Sequence, residues 1–301
     1  MLNVKFRCIG TGVLKMDTVT IERIIAQGSE LKSLPDSVYQ LNQMMQNDNV
    51  TMSDISDVVS SDPVLSAKIL KSVNSPFYGF PAKIDTIAFA VSILGIDSIR
   101  YIAISSAVIS RFSGSANTVV PIDSFWRHSF ATAIIAKQLA QMRSYQHIDR
   151  IFTAGLLHEL GSLLMAIAIP TDYKQVISKA NCEQTHLHIA ESELLGFTHV
   201  DITAELLKSW NLPTSVIEGI RNMYNCDINQ DYQIDCALLN IADSVASSTF
   251  PSIRLANMDL SIQNKVWDIA GIQPLQLNSV LDELDNMVEN AMSGMYFESA
   301  A

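Results

Sequence analysis

The chain has 301 residues, of which 48% are hydrophobic and 17% charged, with a formal net charge of −11. That length and apolar content require a large buried core, and the acidic balance argues against nucleic acid or an anionic membrane surface as partner. Cys8, Cys182, Cys226 and Cys236 form no C-x-x-C pair, which favours reduced thiols in a cytosolic protein over a disulfide framework.

The opening "MLNVKFRCIGTG" lacks the long apolar stretch of a secretion signal, and residues 1–16 read as an N-terminal extension without an assignable role. Ser33-Leu34-Pro35-Asp36 is a capping box with proline at the first helical position, and Val38, Leu41, Met44 and Met45 follow on one face. Thr51 to Asp54 repeats the box ahead of Ile55, Val58 and Val59. Asp62-Pro63 opens a helix carrying Leu65, Ile69, Leu70 and Val73; it stops at Asn74, a residue that tolerates the left-handed cap conformation, with Pro76 beyond. Asp85 is expected to cap a helix that Gly95 ends, and Asp97 the next, to about Arg111. The connector "SGSANTVVPID" sets a boundary near residues 113–121, dividing an N-terminal helical subdomain (17–115) from a second one (120–295).

Beyond the connector, Asp123 caps a helix over 124–142 and Asp149 one over 150–168. Further helices are expected near 172–179, 186–195, 199–210, over "LPTSVIEGIRNMY", and near 234–249, 258–270 and 274–292. Strand-like alternation is confined to short runs such as "TVVPI", so the fold class is all-α. The most apolar run, "IFTAGLLHELGSLLMAIAIP", approaches the length of a bilayer span, but His158 and Glu159 interrupt it, which favours a buried helix.

That run carries the chemistry. Ionisable side chains are rarely buried unless they are paired or bind a metal, and Gly155 and Gly161 flank the pair, as close approach of other backbones would require. His158 and Glu159, read as mid-helix, need other helices to complete a shell. His128 and Asp243 lie in comparably apolar surroundings. Two histidines and two carboxylates suit a transition ion or a magnesium–manganese type site, or a hydrogen-bonded structural set. In "NSPFYG", Asn74, Phe77 and Tyr78 are a candidate interaction surface, although core packing with Asn74 as helix cap is the favoured reading. Trp126, Met44 and Met165 read as core.

The order "FWRHS", "AGLLHELG", "IAD" resembles the H…HD…D framework of the HD-superfamily metal phosphohydrolases. With "LPDSVYQLNQM", "ISDVVSSDPVLSAKILKSVNSPFYG", "IAFAVSILG" and "GFTHVDITAELLKSWNLP", the chain is closer still to the HDOD family, the HD-related output domains of bacterial signalling, over roughly residues 30–250. The resemblance implies an N-terminal helical bundle packed on an HD-like helical subdomain, acting by interaction rather than turnover. Three departures matter: the acidic partner is Glu159, one methylene longer than aspartate; Ser162 stands where active relatives often carry lysine; and the glycine-tyrosine-proline signature of cyclic-di-GMP hydrolases is absent. His199 falls near where those enzymes place further histidines but has no adjoining partner, and His186 and His188 lie upstream.

The expectation is therefore a non-enzymatic signal-transduction module of the bacterial cytoplasm with no catalytic residues. His128, His158, Glu159 and Asp243 would form a vestigial or low-occupancy metal site. No cofactor is expected, with a divalent manganese, iron, magnesium or zinc ion as the lesser alternative. Its partners would be signalling proteins of the same pathway, with a small-molecule ligand as a further input and neither nucleic acid nor membrane. The alternative is a metal-dependent phosphohydrolase acting on a nucleotide or phosphate ester.

Overall fold

The computed structural model describes residues 19–27, 34–44, 49–112, 119–227, 230–253 and 261–295. Ser33, Met45, Cys8, the extension 1–16 and most of the connector lie outside the described residues. Among the described residues there is no strand, and the class is all-α.

Local signals place most of the first helices. α1 (Ile21–Gln27), which sequence patterning did not single out, is followed by α2 (Asp36–Met44). α3 (Met52–Ser60) starts at the Thr51–Asp54 capping box, with both reciprocal bonds made. α4 (Pro63–Val73) starts where the Asp62 carboxylate accepts from the Val64 and Leu65 N–H groups. Asn74 ends α4, as expected, at φ −86° and without using the left-handed conformation it tolerates. Its side-chain amide donates to the Leu70 and Ile84 carbonyls at 2.7 Å each and accepts from the Ile84 N–H at 2.8 Å. It clamps both ends of the 75–83 loop.

α5 (Ile87–Phe112) is two helical segments joined at Gly95, whose φ of +83° only glycine adopts readily. The Thr86 hydroxyl, rather than Asp85, accepts the Phe89 N–H at its start. α6 (Ile122–Met142) begins after Pro121, so Asp123 lies in the first turn instead of capping it. Asp149 likewise lies inside the first turn of α7 (Ile148–Leu157), where it accepts from the Ser98 hydroxyl.

The helix expected over 150–168 is two helices. α7 stops at His158, and α8 (Leu160–Ala168) starts after Glu159, whose φ of −96° and ψ of 8° leave the helical region. Then come α9 (Pro170–Glu183), α10 (Leu187–Leu195), α11 (His199–Ser209), α12 (Thr214–Arg221), α13 (Gln233–Thr249) and α14 (Asn264–Ala270). The helix expected over 274–292 is also divided: a 3-10 turn at Pro274–Leu277, then α15 (Asn278–Leu281) and α16 (Leu284–Met295).

α3 and α4 pack on α5, while α6 forms the central layer against α7 and α13. α1 packs on α8 and α11, and α16 packs on α4 and α6, so the first and last described helices each bridge early and late parts of the chain. Gly155 lets α7 press onto α6, since a Cβ there would lie 2.8 Å from the Ala133 Cα. Trp126 and Met165 are buried, and Met44 packs against the core from its edge. No disulfide joins Cys182, Cys226 and Cys236 among the described residues. The segments 87–112 and 148–168 are long and apolar enough to cross a bilayer, but the second is almost wholly buried inside the protein.

Candidate metal centre

The break between α7 and α8 is held from α11. The Thr203 hydroxyl donates to the His158 carbonyl at 2.9 Å and accepts the Gly161 N–H at 2.8 Å, satisfying two backbone groups the break would otherwise leave unpaired. Gly161 is required there because the His199 carbonyl occupies the space a Cβ would need. The turn carries His158 and Glu159 against His128 of α6 and Asp243 of α13.

All four expected residues converge. His128 Nε2 lies 3.2 Å from Asp243 Oδ1 and 3.4 Å from His158 Nε2, and His158 Nε2 lies 3.4 Å from the same Asp243 oxygen. Each ring is fixed from behind by a carbonyl: His128 Nδ1–H donates to Phe250 O at 3.0 Å and His158 Nδ1–H to Gly155 O at 2.7 Å. A carbonyl can only accept, so Nδ1 carries the proton on both rings and both Nε2 atoms turn toward Asp243.

Three electron-rich atoms this close need positive charge among them, either a proton or a metal ion. Burial opposes charge on His128, but the Glu159 and Asp243 carboxylates outweigh it and raise its pKa. Burial likewise pushes Asp243 up, yet the hydrogen bonds from His128 and His158 hold it well below the usual carboxylate range.

Two observations test the fit to a metal. Around one ion with bonds of about 2.0–2.2 Å, ligand atoms stand roughly 3.0–3.4 Å apart, the spacing of this triangle. Glu159 Oε2 is buried without a hydrogen-bond partner, 3.9 Å from His128 Nε2, while Oε1 accepts from the Ser252 hydroxyl at 2.8 Å. His128, His158 and Glu159 each offer an atom within 4.8 Å of the others. The extra methylene of Glu159 is accommodated by the broken helix and by Ser252, leaving it the most distant member of the four. The donor set fits a divalent transition ion.

A cavity of about 850 Å³ opens over Glu159 and Asp243, a volume in the range of small-molecule sites. Its walls include His186, His188, Tyr224 and hydroxyls of α13 such as Ser244 and Ser247. His188 stacks on Tyr224 with centroids 4.0 Å apart, and burial, followed by the neighbouring His199 and His186, lowers its pKa to about 4. His199 is not in the quartet: its Nδ1 meets Glu191 Oε2 at 2.7 Å and its Nε2 meets the Tyr224 hydroxyl at 3.2 Å. Sequence reasoning did not single out Glu191, Thr203, Tyr224 or Ser252, because their relation to the site arises only in three dimensions.

Ser162 is buried and brings no charge to the site. Arg127 pairs with Glu289 on the surface, and Arg150 with Asp235. In the 75–83 loop, half-buried Phe77 packs on Phe152 at 5.2 Å and edge-on to Tyr78 at 5.2 Å. The Lys137 ammonium lies 4.3 Å from the Phe77 ring centre. These rings face α6 and α7.

A chain whose described residues include no strand, and which gathers two histidines and two carboxylates from α6, α13 and the break between α7 and α8, is an HD-superfamily domain in architecture. More narrowly, the chain belongs to the HDOD domain family, which matches residues 31–226. It is similar to a solved structure of a candidate phosphohydrolase from Shewanella amazonensis, at 27% identity and TM-score 0.67, covering 90% of this chain and 96% of that one. An HDOD domain protein of Geobacter sulfurreducens shares the fold at TM-score 0.73 and 21% identity, with 90% and 97% of the chains covered. A candidate signal transduction protein of Marinobacter aquaeolei shares it at 0.69 and 23%, with 94% and 67% covered. An uncharacterized Treponema pallidum protein is 26% identical over 222 residues, 72% of this chain and 41% of the relative, so the chain spans less than half of that relative's length.

Proposed function

We propose that this protein is a bacterial, cytoplasmic signal-transduction module whose HD-type site binds a divalent transition ion without turning over a substrate. The ion sits beneath a cavity that admits a small-molecule ligand, and the bound state is read out through contacts with signalling proteins of the same pathway. The observation that carries this reading is the triangle of His128 Nε2, His158 Nε2 and Asp243 Oδ1, with sides of 3.2–3.4 Å, whose Asp243, with Glu159, lines an open cavity. His128, His158 and Asp243 would hold the ion, with Glu159 as a fourth, more distant donor.

Phosphoryl transfer needs fixed positive charge around the developing transition state in addition to the metal. Residue 162 is an uncharged serine, Lys265 in the cavity wall is paired with Asp227 at 2.6 Å, and both His199 nitrogens are engaged. A phosphohydrolase is the second reading; the metal-suited donor set and the Shewanella relative favour it.

Chelator-treated protein assayed with manganese against nucleoside phosphates and cyclic dinucleotides separates the two. We expect manganese to raise the melting temperature while phosphate release stays at the level of His158→Ala. Hydrolysis that is abolished in both His158→Ala and Asp243→Ala would establish the phosphohydrolase instead.

A further inference from the structure

We propose that His199 and Tyr224 are positioning residues of the metal centre, forming the last links of a donor chain that fixes Asp243 as a one-oxygen ligand. This rests on the metal-binding reading above.

The direction of the chain follows from which atoms can donate. Asp243 Oδ2 lies 3.0 Å from the Tyr224 hydroxyl, and an ionised carboxylate only accepts, so Tyr224 donates its single proton there. With that proton committed, the contact from His199 Nε2 to the Tyr224 oxygen at 3.2 Å has the imidazole as donor. On the other edge of the ring, Nδ1 meets Glu191 Oε2 at 2.7 Å, and that oxygen also accepts the His199 backbone N–H at 2.9 Å. Both ring nitrogens therefore carry protons. The second Glu191 oxygen takes the Tyr173 hydroxyl at 3.1 Å. Glu191, His199 and Tyr173 are all buried.

The chain thus runs one way, from His199 through Tyr224 to Asp243 Oδ2. It engages one carboxylate oxygen from behind and leaves Oδ1 facing the two Nε2 atoms. The same residue braces the other side of the site, because its carbonyl packs on Gly161, two residues after Glu159. Partners that orient metal ligands typically change affinity by about 10–100-fold when removed.

The test is cobalt(II) titration of chelator-treated protein, followed by visible absorption and calorimetry, for the unmodified chain, Tyr224→Phe and His199→Gln. Tyr224→Phe deletes only the hydroxyl, and His199→Gln keeps an N–H donor but loses the charge. Expected are one cobalt site in the unmodified chain, about 10–100-fold weaker binding in Tyr224→Phe with an altered absorption band as Asp243 turns, and an intermediate loss in His199→Gln. Unchanged affinity and spectrum in the folded variants, with cobalt bound by the unmodified chain, would overturn the chain's role and leave the metal site standing. No cobalt binding by the unmodified chain would overturn both.

Discussion

Replacing Gly161 with alanine sets two effects of opposite sign against each other. Helix propensity alone predicts a gain of up to about 1 kcal/mol, because Gly161 lies within α8 in a helical conformation. Packing predicts a loss. The new Cβ would lie 2.8 Å from the His199 carbonyl carbon and 2.9 Å from its Cα, with the carbonyl oxygen nearer still. Ordinary contact begins near 3.4 Å, so α11 must retreat by more than half an ångström, and overpacking of this kind costs about 1–3 kcal/mol. The retreat also strains the Thr203 bonds to the His158 carbonyl and Gly161 N–H, and a buried polar group left unmade costs about 1–3 kcal/mol. The net expectation is a loss of about 2–4 kcal/mol, close to a 1 M fall in the urea midpoint at a slope of about 3 kcal/mol per molar. A midpoint that stays put or rises would refute the claim that α11 is pressed against the turn bearing His158 and Glu159.

Gly95→Ala should destabilise by about 1–2 kcal/mol through backbone strain alone, since nothing lies within 4 Å of a Cβ there; equal urea midpoints would contradict the kink at Gly95. Asp62→Ala should cost about 1 kcal/mol at pH 7 by uncapping α4, measured by urea denaturation, and a neutral result would deny the cap its role. The Glu191 contact outweighs burial and raises the His199 pKa to about 9, so its contribution is fully present below the unfolded value near 6.5 and is lost as pH rises through 9. The urea midpoint of the unmodified chain should therefore fall more steeply between pH 6.5 and 9 than that of His199→Gln; parallel curves would contradict the charged pair.

What the sequence made legible was local or was carried by the family resemblance. The Thr51 box, the Asp62-Pro63 start and the Gly95 break are decided within four residues, and each lies where the pattern puts it. The convergence of His128, His158, Glu159 and Asp243 was legible because the order of histidines and acids resembles a known framework. The break at His158–Glu159 was not, because the bonds bridging it come from Thr203, more than forty residues later. Asn74 was legible as the end of its helix, but not the side-chain bonds by which it clamps a residue ten positions away. His199 stood out only as an isolated histidine, since the partners that give it a place, Glu191 and Tyr224, lie at spacings no motif records.

Metal content of protein purified without chelators, compared with His158→Ala and Asp243→Ala prepared alongside, decides whether His128, His158 and Asp243 hold an ion. Close to one equivalent of a divalent transition ion is expected in the unmodified chain, with a loss in both variants. An unmodified chain that carries no more metal than the variants, and takes up none when manganese, iron or zinc is supplied, would contradict it.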